Sequence, residues 1–186
     1  MDLMDAIYHR RAVRAFKSEA VDRETIRFLI AAAVQAPSAI NRQPWSFVVV
    51  EDQAVLERYS RNAKAHLLAT MPETSPLAEY RPMLADPTFQ LFYHAPALVV
   101  ICATSSEEGV AEDCCLAAEN FMLAAHGAGL GTCWIGFARS WLDLPEGRKE
   151  LDIPRHYVPI APIAIGHPKA VAPPVSRRHP DIVWIG

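Results

Sequence analysis

Three arginines lie within five residues near the start of the chain, at Arg10, Arg11 and Arg14. Guanidinium groups at this density suit a phosphate, because each charge-assisted hydrogen bond contributes roughly 1.5 to 3 kcal/mol. Cations also complement the carboxyl end of a helix dipole, and the spacing of apolar residues predicts a short helix over residues 2–10, just before the arginines. The cluster is therefore either an anion site or a plain helix end.

A second candidate is the loop between a predicted helix, residues 22–36, and a predicted strand, residues 46–51. Its prolines restrict the backbone, and three of its short polar side chains can read the edge of a planar heterocycle: Ser38, Asn41 and Gln43. Asparagine and proline are also ordinary turn formers, so the same residues fit a simple connection. Binding residues concentrate in such loops on a rigid scaffold, which keeps the loop as a candidate site.

A glycine-rich segment, residues 127–137, follows a predicted helix and precedes a predicted strand. This order is the reverse of the dinucleotide-binding fingerprint, so the segment is not a Rossmann motif. The glycines are expected to close the helix and to let the next strand pack tightly. At the strand end, Ile135 and Gly136 can still present backbone N–H groups to a ligand, because Gly136 has no side chain to keep the ligand away.

A second arginine pair, Arg177 and Arg178, lies in the last twenty residues, which are predicted to form an extended tail. The pair either converges with the first cluster on one anion or belongs to a solvated basic tail. The seven histidines and four cysteines show no metal-ligand spacing, so no metal site is predicted.

The composition predicts one globular domain over residues 1–186, because 51% of the residues are hydrophobic and 21% are charged. A formal charge of -3 gives no overall attraction to nucleic acid or to an anionic membrane, so neither partner is expected. The longest uncharged stretch, residues 120–138, is interrupted by four glycines and is not predicted to span a membrane. Four cysteines among apolar neighbours, with no CxxC pair and no predicted signal peptide, indicate reduced, buried thiols and a cytoplasmic location.

Apolar periodicity predicts the elements that must position these residues. Strands are expected at 46–51, 97–103, 132–137 and 157–165, and helices at 2–10, 22–36, 53–64, 110–126 and 141–151. Pro159 and Pro162 favour an edge position for the fourth strand. The helix over 110–126 is apolar on nearly every face, which suggests a subunit interface. Residues 71–89 form an irregular insertion that would suit a lid.

In their order along the chain, five sequence blocks resemble the FMN-dependent nitroreductase family of NAD(P)H oxidoreductases. These blocks are RRAVRAF, APSAINRQPWSFVVV, FYHAPALVV, GLGTCWIGF, and GHP followed by SRR. The resemblance leaves out only residues from about 60 to 88. It implies an α+β fold in which a mixed, mainly antiparallel sheet is flanked by helices. It also implies an intertwined homodimer with two FMN sites at its interface, the helix over 110–126 as the dimer core, and a tail that wraps onto the partner.

The resemblance assigns the phosphate end and the pyrimidine edge of FMN to arginine side chains. The phosphate, ribityl chain and pyrimidine edge would be held by Arg10, Arg11 and Arg14, with Arg177 closing on the phosphate. Ala12 stands where many members have a serine that bonds the phosphate, and Val175 stands where many have a lysine. Fewer polar contacts imply weaker FMN binding than in typical members.

The resemblance also assigns residues that line the flavin ring. The Pro-Ser block of the other subunit would cover one side of the ring through Pro37, Ser38, Ala39 and Asn41. The strand end whose backbone amides approach the flavin N5 region corresponds to Trp134, Ile135 and Gly136. Arg14 would lie near N1 and O2 of the ring. No side-chain acid or base is required, so no catalytic residue is named.

The implied reaction is transfer of a hydride from NADH or NADPH to flavin N5, followed by reduction of a small electrophile such as a nitroaromatic or a quinone over the same flavin face. The missing serine and lysine contacts leave open a protein that binds, stores or delivers FMN without turnover. A third possibility is a specialised dehydrogenating or oxygen-using reaction, with residues 71–89 determining the substrate.

Overall fold

The fold is built on one four-stranded sheet, seen in a computed structural model that describes residues 1–186. The strands are β1 (Trp45–Val50), β2 (Ala97–Ala103), β3 (Gly131–Trp134) and β4 (Val158–Gly166). Their spatial order is β1-β2-β4-β3, and all neighbouring strands are antiparallel. A single parallel bridge joins Ala12 to Thr132 on the outer side of β3. The prediction of a mixed, mainly antiparallel sheet is therefore confirmed.

Helices cover both faces of the sheet. They are α1 (Leu3–His9), α2 (Arg23–Ala33), α3 (Gln53–Thr70), α4 (Arg81–Ala85), α5 (Val110–Gly127), α6 (Arg139–Leu142) and α7 (Pro145–Glu150). Side chains alternate across β2, so Val100 packs with α3 and α6 on one face and Ile101 packs with α2 and α5 on the other. The two apolar cores that result are separated only by the sheet, which confirms the predicted α+β class.

The helix bounds follow from capping residues that the sequence already displays. Asp22 caps α2 by accepting a hydrogen bond from the Thr25 N–H at 2.8 Å. In the same way Asp52 caps α3, which runs to Thr70, six residues beyond its predicted end at residue 64. The predicted helix over 110–126 is confirmed by α5. The predicted helix over 141–151 is instead two short helices, α6 and α7, because Pro145 starts a new helix.

The prediction that the fourth strand lies at an edge is wrong, since β4 lies between β2 and β3. The short β3 pairs only with Ile163–Gly166, so the half of β4 that carries Pro159 and Pro162 is paired as a strand on one side alone. A register shift opposite Ile101 and Cys102 accommodates the same half. Proline is tolerated in this half of β4 because, as in an edge strand, only one side of it pairs with a neighbouring strand.

The third strand is also shorter than predicted, since β3 ends at Trp134 and a 3₁₀ turn follows over Gly136–Ala138. The Ile135 N–H still donates to the Pro162 carbonyl at 2.8 Å. The strand therefore ends with one last hydrogen bond, and the chain then turns away from the sheet at Gly136.

The Lys64 side chain makes hydrogen bonds to the end of the segment predicted as an irregular insertion, residues 71–89. Its buried Nζ donates to the carbonyls of Asp86 at 2.7 Å and of Phe89 at 2.5 Å. Burial lowers the pKa of this lysine, and the Asp86 carboxylate partly offsets that effect. Residues 71–89 contain α4 and a 3₁₀ turn over Ala78–Tyr80, and their predicted role as a lid stays a prediction.

The cysteine environments differ from the sequence prediction in one case. Cys102, Cys114 and Cys133 are buried, but Cys115 is exposed on α5. Burial raises the pKa of the Cys102 and Cys114 thiols to about 12, so these two stay protonated at neutral pH. Adjacent positions on a helix project about 100° apart, so Cys114 faces the core while Cys115 faces outward. None of the helices has the length and apolar character needed to cross a membrane.

We expect Gly131→Ala to lower the free energy of unfolding by roughly 1 to 3 kcal/mol, because a Cβ at Gly131 would lie 2.7 Å from Val13 Cγ2. Urea denaturation followed by circular dichroism measures the change. Gly127→Ala is the matched control, since a Cβ there meets nothing within 4 Å. In the double variant with Val13→Ala the loss should be smaller than the sum of the single losses, and strict additivity would contradict the proposed contact.

Candidate functional site

The first arginine cluster lies on an extended segment at the outer edge of β3. The Val13 N–H donates to the Thr132 carbonyl at 2.9 Å, and the Lys17 N–H donates to the His167 carbonyl at 2.8 Å. Helix α1 ends because Arg10 adopts extended backbone angles, φ -57° and ψ 135°. The segment therefore adds a partial strand to the sheet and carries the arginines along it.

Arg10 contacts α5 through one nitrogen of its guanidinium. Its Nε lies 3.3 Å from Glu119 Oε1, and its side chain is mostly buried. This contact does not use the two terminal nitrogens of Arg10, which are the pair that binds a phosphate in a fork geometry. Arg10 is thus oriented by the protein and still able to bind an anion.

Arg11 has different surroundings from Arg10. Its Nη1 donates to the Arg10 carbonyl at 2.7 Å, while its Nε is buried without a hydrogen-bond partner. The side chain lines a cavity next to His126, near the end of α5. The structure therefore places the Arg11 side chain apart from Arg14, and its predicted contact with FMN stays a prediction.

Arg14 lies beside Tyr93 and Cys133. Burial raises the pKa of the Tyr93 phenol, Cys133 raises it further, and the Arg14 guanidinium opposes both effects. Burial likewise raises the pKa of the Cys133 thiol, with Arg14 as the largest opposing influence. Both groups are accordingly neutral near pH 7, so the phenol can accept a hydrogen bond from Arg14 and donate one to a ligand.

Tyr93 is a candidate site residue that the sequence analysis did not assign, although it lies in the FYHAP block. Tyr93 and His94 both have left-handed backbone angles, with φ of 56° and 55°. The buried Gln90 stabilises this turn by accepting from the Phe92 N–H at 2.7 Å and the His94 N–H at 3.0 Å. The only signal in the sequence was the block itself, because nothing local places a tyrosine beside an arginine 79 residues earlier.

The proline-bounded loop uses its polar side chains within itself. Ser38 Oγ accepts from the Gln43 N–H at 2.9 Å, and Gln43 Nε2 donates to Asn41 Oδ1 at 3.1 Å. The Ala39 N–H donates to both carboxylate oxygens of Asp113, at 3.2 and 3.3 Å, near the start of α5. These hydrogen bonds show that the residues form a turn, whereas their predicted contact with FMN stays a prediction.

The same loop carries backbone strain at an exposed position. Ile40, Asn41 and Gln43 have positive φ values of 49°, 57° and 50°. This conformation is disfavoured for a β-branched residue, yet Ile40 is 84% exposed and is not held there by burial in this chain. Strained residues of this kind concentrate where a chain contacts a ligand or a partner.

The end of β3 offers one open backbone position. Trp134 is 37% exposed, and Ile135 is buried with its N–H already bonded to Pro162. Gly136 is exposed, and a Cβ built on it would meet nothing within 4 Å. Of the three predicted backbone contacts, the Gly136 N–H is the one placed at an open surface.

The remaining predicted residues are not brought to this edge by a single chain. The loop at 37–44 has its polar contacts with α5, at Asp113 and Cys114, rather than with the arginines. Arg177 and Val175 are exposed in the tail, which has no secondary structure beyond residue 170. One chain thus carries Arg10, Ala12 and Arg14 on a single segment alongside β3, the strand that ends just before Gly136, whereas the loop at 37–44 and Arg177 lie elsewhere.

Comparison with known proteins places the whole sheet within one family. The nitroreductase family model matches residues 7–167. A relative from Methanothermobacter thermautotrophicus, named provisionally as an NADH dehydrogenase/NAD(P)H nitroreductase, is 34% identical over 173 residues, which are 90% of this chain and 78% of the relative. The 5,6-dimethylbenzimidazole synthase of Rhodospirillum rubrum is 33% identical over 190 residues, covering 92% of this chain and 85% of the synthase. The crystal structure of a nitroreductase with bound FMN from Bacteroides fragilis matches 100% of both chains with a TM-score of 0.85 and 25% identity.

We expect Ile40→Asn to raise the free energy of unfolding of the dissociated single chain by up to about 1 kcal/mol, because asparagine tolerates the left-handed backbone that isoleucine disfavours. Chemical denaturation of the variant and the parent measures the difference. Val171→Asn, which changes another exposed β-branched residue, should leave the stability unchanged. A loss of stability in the dissociated chain would contradict the strain argument, whereas a loss seen only at high protein concentration would indicate that this isoleucine is buried by a second molecule.

Proposed function

Since the chain belongs to the nitroreductase family, we propose that it is an FMN-dependent oxidoreductase that oxidises NADH or NADPH and reduces a small electrophile such as a nitroaromatic or a quinone. The observation that supports this most directly is the outer edge of β3. There Arg10 and Arg14 lie on one extended segment, near a strand end with an open backbone position at Gly136.

The donor groups at this edge fit the acceptor groups of FMN. A phosphate requires cations, and Arg10 keeps its two terminal nitrogens free of Glu119. A flat ring requires open backbone, and the space in front of Gly136 would be filled by any Cβ. Guanidinium groups stay charged at every working pH, so Arg14 can stabilise negative charge at a pyrimidine edge.

When FMN is bound, it supplies the hydride chemistry that no side chain of the protein can perform. The chain's own residues bind and orient it. Arg10 would hold the phosphate, Arg14 the pyrimidine edge, and the Gly136 N–H the central part of the ring. The hydrogen bond from Ile135 to Pro162 fixes the strand end from which Gly136 projects. Tyr93 would contact the Arg14 guanidinium and help to hold it in place.

We also propose that the active form is a homodimer in which each flavin site receives the proline-bounded loop of the partner. Apolar side chains are exposed on α1 and α5, with Leu116 of α5 47% exposed and the Leu3, Met4 and Ile7 side chains of α1 also exposed. The tail ends in Ile182–Ile185, all exposed. Exposed apolar side chains in this number favour a protein interface.

The exposed, strained Ile40 supports the same proposal. The loop at 37–44 has its polar contacts with α5 rather than with Arg10 or Arg14 of its own chain. A second copy would therefore be needed to bring both parts of the predicted site together. The unpaired cysteines are consistent with the further proposal of a reducing, cytoplasmic location.

A second candidate function is a specialised flavin reaction rather than a general reductase. The similarity to 5,6-dimethylbenzimidazole synthase favours it, since that relative matches 92% of the chain and the reductase relative matches 90%.

The test of the proposed function is the visible absorption spectrum of the purified protein, followed anaerobically after addition of NADH and then NADPH. Bleaching of the flavin bands by one donor, with recovery on adding a quinone or nitroaromatic, is the expected result. A bound flavin that neither donor bleaches would favour storage or the specialised reaction. Absence of flavin even after FMN is added would overturn the site assignment.

We expect Arg10→Ala to weaken FMN binding by roughly 10- to 150-fold, because it removes a charge-assisted contact worth roughly 1.5 to 3 kcal/mol. Binding of riboflavin, which has no phosphate, should change little. Fluorescence quenching of each flavin measures both affinities. Arg23→Ala, which removes an exposed arginine paired with Glu51, is the matched control. Equal losses for FMN and riboflavin would show that Arg10 does not act on the phosphate.

We expect Gly136→Ala to leave the stability of the flavin-free protein unchanged and to weaken FMN and riboflavin equally, by about tenfold or more. The new Cβ meets no protein atom within 4 Å but occupies the space assigned to the ring. Isothermal titration with each flavin provides the measurement, and Gly127→Ala is the control at a second open glycine. Unchanged affinity for both flavins would place the ring elsewhere.

A further inference from the structure

The turn that follows β3 exposes Gly136, and hydrogen bonds fix the backbone on both sides of it. The Ile135 N–H donates to Pro162 at 2.8 Å, and the Ile135 carbonyl accepts from the Ala138 N–H at 3.1 Å. The Gly136 carbonyl accepts from the Arg139 N–H, which closes the turn. The Gly136 N–H donates to no group of the chain. The surrounding backbone is thus fixed, while this donor stays free for a ligand.

One side chain from a distant part of the sequence contacts the far end of this turn. Tyr59, in α3, is fully buried, and its hydroxyl donates to the Ala138 carbonyl at 3.2 Å. The Tyr59 ring also packs on Phe92, with the ring centroids 5.7 Å apart. Burial raises the pKa of the phenol, and Glu150 and Asp143 raise it further. The hydroxyl therefore remains a hydrogen-bond donor at neutral pH.

Helix α3 is itself joined to the helices that follow the turn. The mostly buried Glu150 carboxylate, at the end of α7, accepts from Arg58 Nε at 2.8 Å and from Asn62 Nδ2 at 3.3 Å. Both donors lie on α3, on either side of Tyr59 in the sequence. The same carboxylate accepts from Nε1 of Trp141 in α6 at 3.1 Å. These contacts hold α3, and with it the Tyr59 hydroxyl, at a fixed distance from the turn.

The bond between Tyr59 and the turn is shielded from solvent. Both Tyr59 and Ala138 are fully buried, so water does not compete for the Ala138 carbonyl. Loss of the hydroxyl would therefore release the turn from α3 without a replacement contact. Because Gly136 lies only two residues before Ala138, any resulting movement of the turn would reach the free N–H.

We propose that Tyr59 is a positioning residue for the flavin, which fixes the turn so that the Gly136 N–H can donate to N5 of the ring. The inference rests on the proposed function and adds to it a residue that none of the five sequence blocks contains. Since Tyr59 is buried behind the turn, it acts on the ring only through the backbone of residues 136–138.

The test is a competition between FMN and 5-deaza-FMN on the full-length holoprotein. In the analogue a C–H group replaces N5 and accepts no hydrogen bond, while the phosphate and the ring edge are retained. The parent should prefer FMN by about 3- to 10-fold, the net contribution of one hydrogen bond. In Tyr59→Phe the preference should fall to nearly one. Release of fluorescent FMN from the protein measures the ratio.

Two control variants separate this effect from a general loss of stability. Tyr157→Phe removes another tyrosine hydroxyl, from a side chain that is partly buried against the same core. Leu29→Ala shortens a fully buried side chain of the other core, which lies on the opposite face of the sheet. Both variants should keep the parent's preference for FMN, although Leu29→Ala lowers the free energy of unfolding.

Hydrogen exchange of the flavin-free protein provides a second readout. The Arg139 amide proton closes the turn, so we expect it to exchange about 3- to 10-fold faster in Tyr59→Phe. Val100, in the central strand β2, reports global unfolding and is the internal reference. If Tyr59→Phe does not fold, 4-aminophenylalanine and 4-methylphenylalanine at position 59 replace it, since the two differ in the donor and little in size. Only the amino form should retain the preference for FMN.

The outcomes separate this inference from the function on which it rests. A parent that binds FMN, with the same preference in Tyr59→Phe, would overturn the role of Tyr59 and leave the proposed function intact. A parent that binds FMN and 5-deaza-FMN equally would show that the Gly136 N–H does not meet N5, which also overturns the inference. A parent that binds neither flavin would refute the proposed function itself, and the role of Tyr59 with it.

Discussion

The close approach of Val13 to Gly131 is the contact on which the candidate site depends. Only a residue without a Cβ lets the extended segment lie this near β3, and the hydrogen bond from Val13 to Thr132 then sets its register. That register decides where each neighbouring arginine projects. An added edge segment of this kind also covers the outer side of β3, which would otherwise expose unpaired backbone groups.

The extended segment distributes its three arginines to three environments. Arg10 contacts Glu119 on α5, Arg11 lines the cavity beside His126, and Arg14 lies next to Tyr93 and Cys133. In a helix these cations would lie on one side and repel one another, whereas successive side chains of an extended chain point to opposite sides. One short basic block therefore presents its three cations to three different parts of the molecule.

The surface of a single chain bears features that a second copy would complete. Strain at Ile40, exposed apolar side chains on α1 and α5, and an apolar tail end all lie outside the two packed cores. The cores themselves have fully buried side chains on both faces of the sheet. In the proposed homodimer, stability within the chain and assembly between chains would depend on different residues, and the proposed site would lie where the two meet.

Much of the architecture follows from local sequence, because caps and apolar periodicity act over a few residues. Asp22 and Asp52 begin α2 and α3, and the apolar run before Ala103 forms β2 as predicted. The same local reasoning failed for β4, where the prolines predicted an edge strand but the strand lies between β2 and β3. The short β3 pairs with only part of β4, and the length of a neighbouring strand cannot be read from the prolines themselves. Local reasoning also failed for Cys115, since burial depends on which side of α5 faces the sheet. By itself the sequence determined the family, the order of elements and the residues able to bind an anion. Only the tertiary structure decided that Arg10, Arg11 and Arg14 diverge, that Tyr93 joins Arg14, and that Gly136 offers the open amide, because these depend on contacts between residues far apart in the chain.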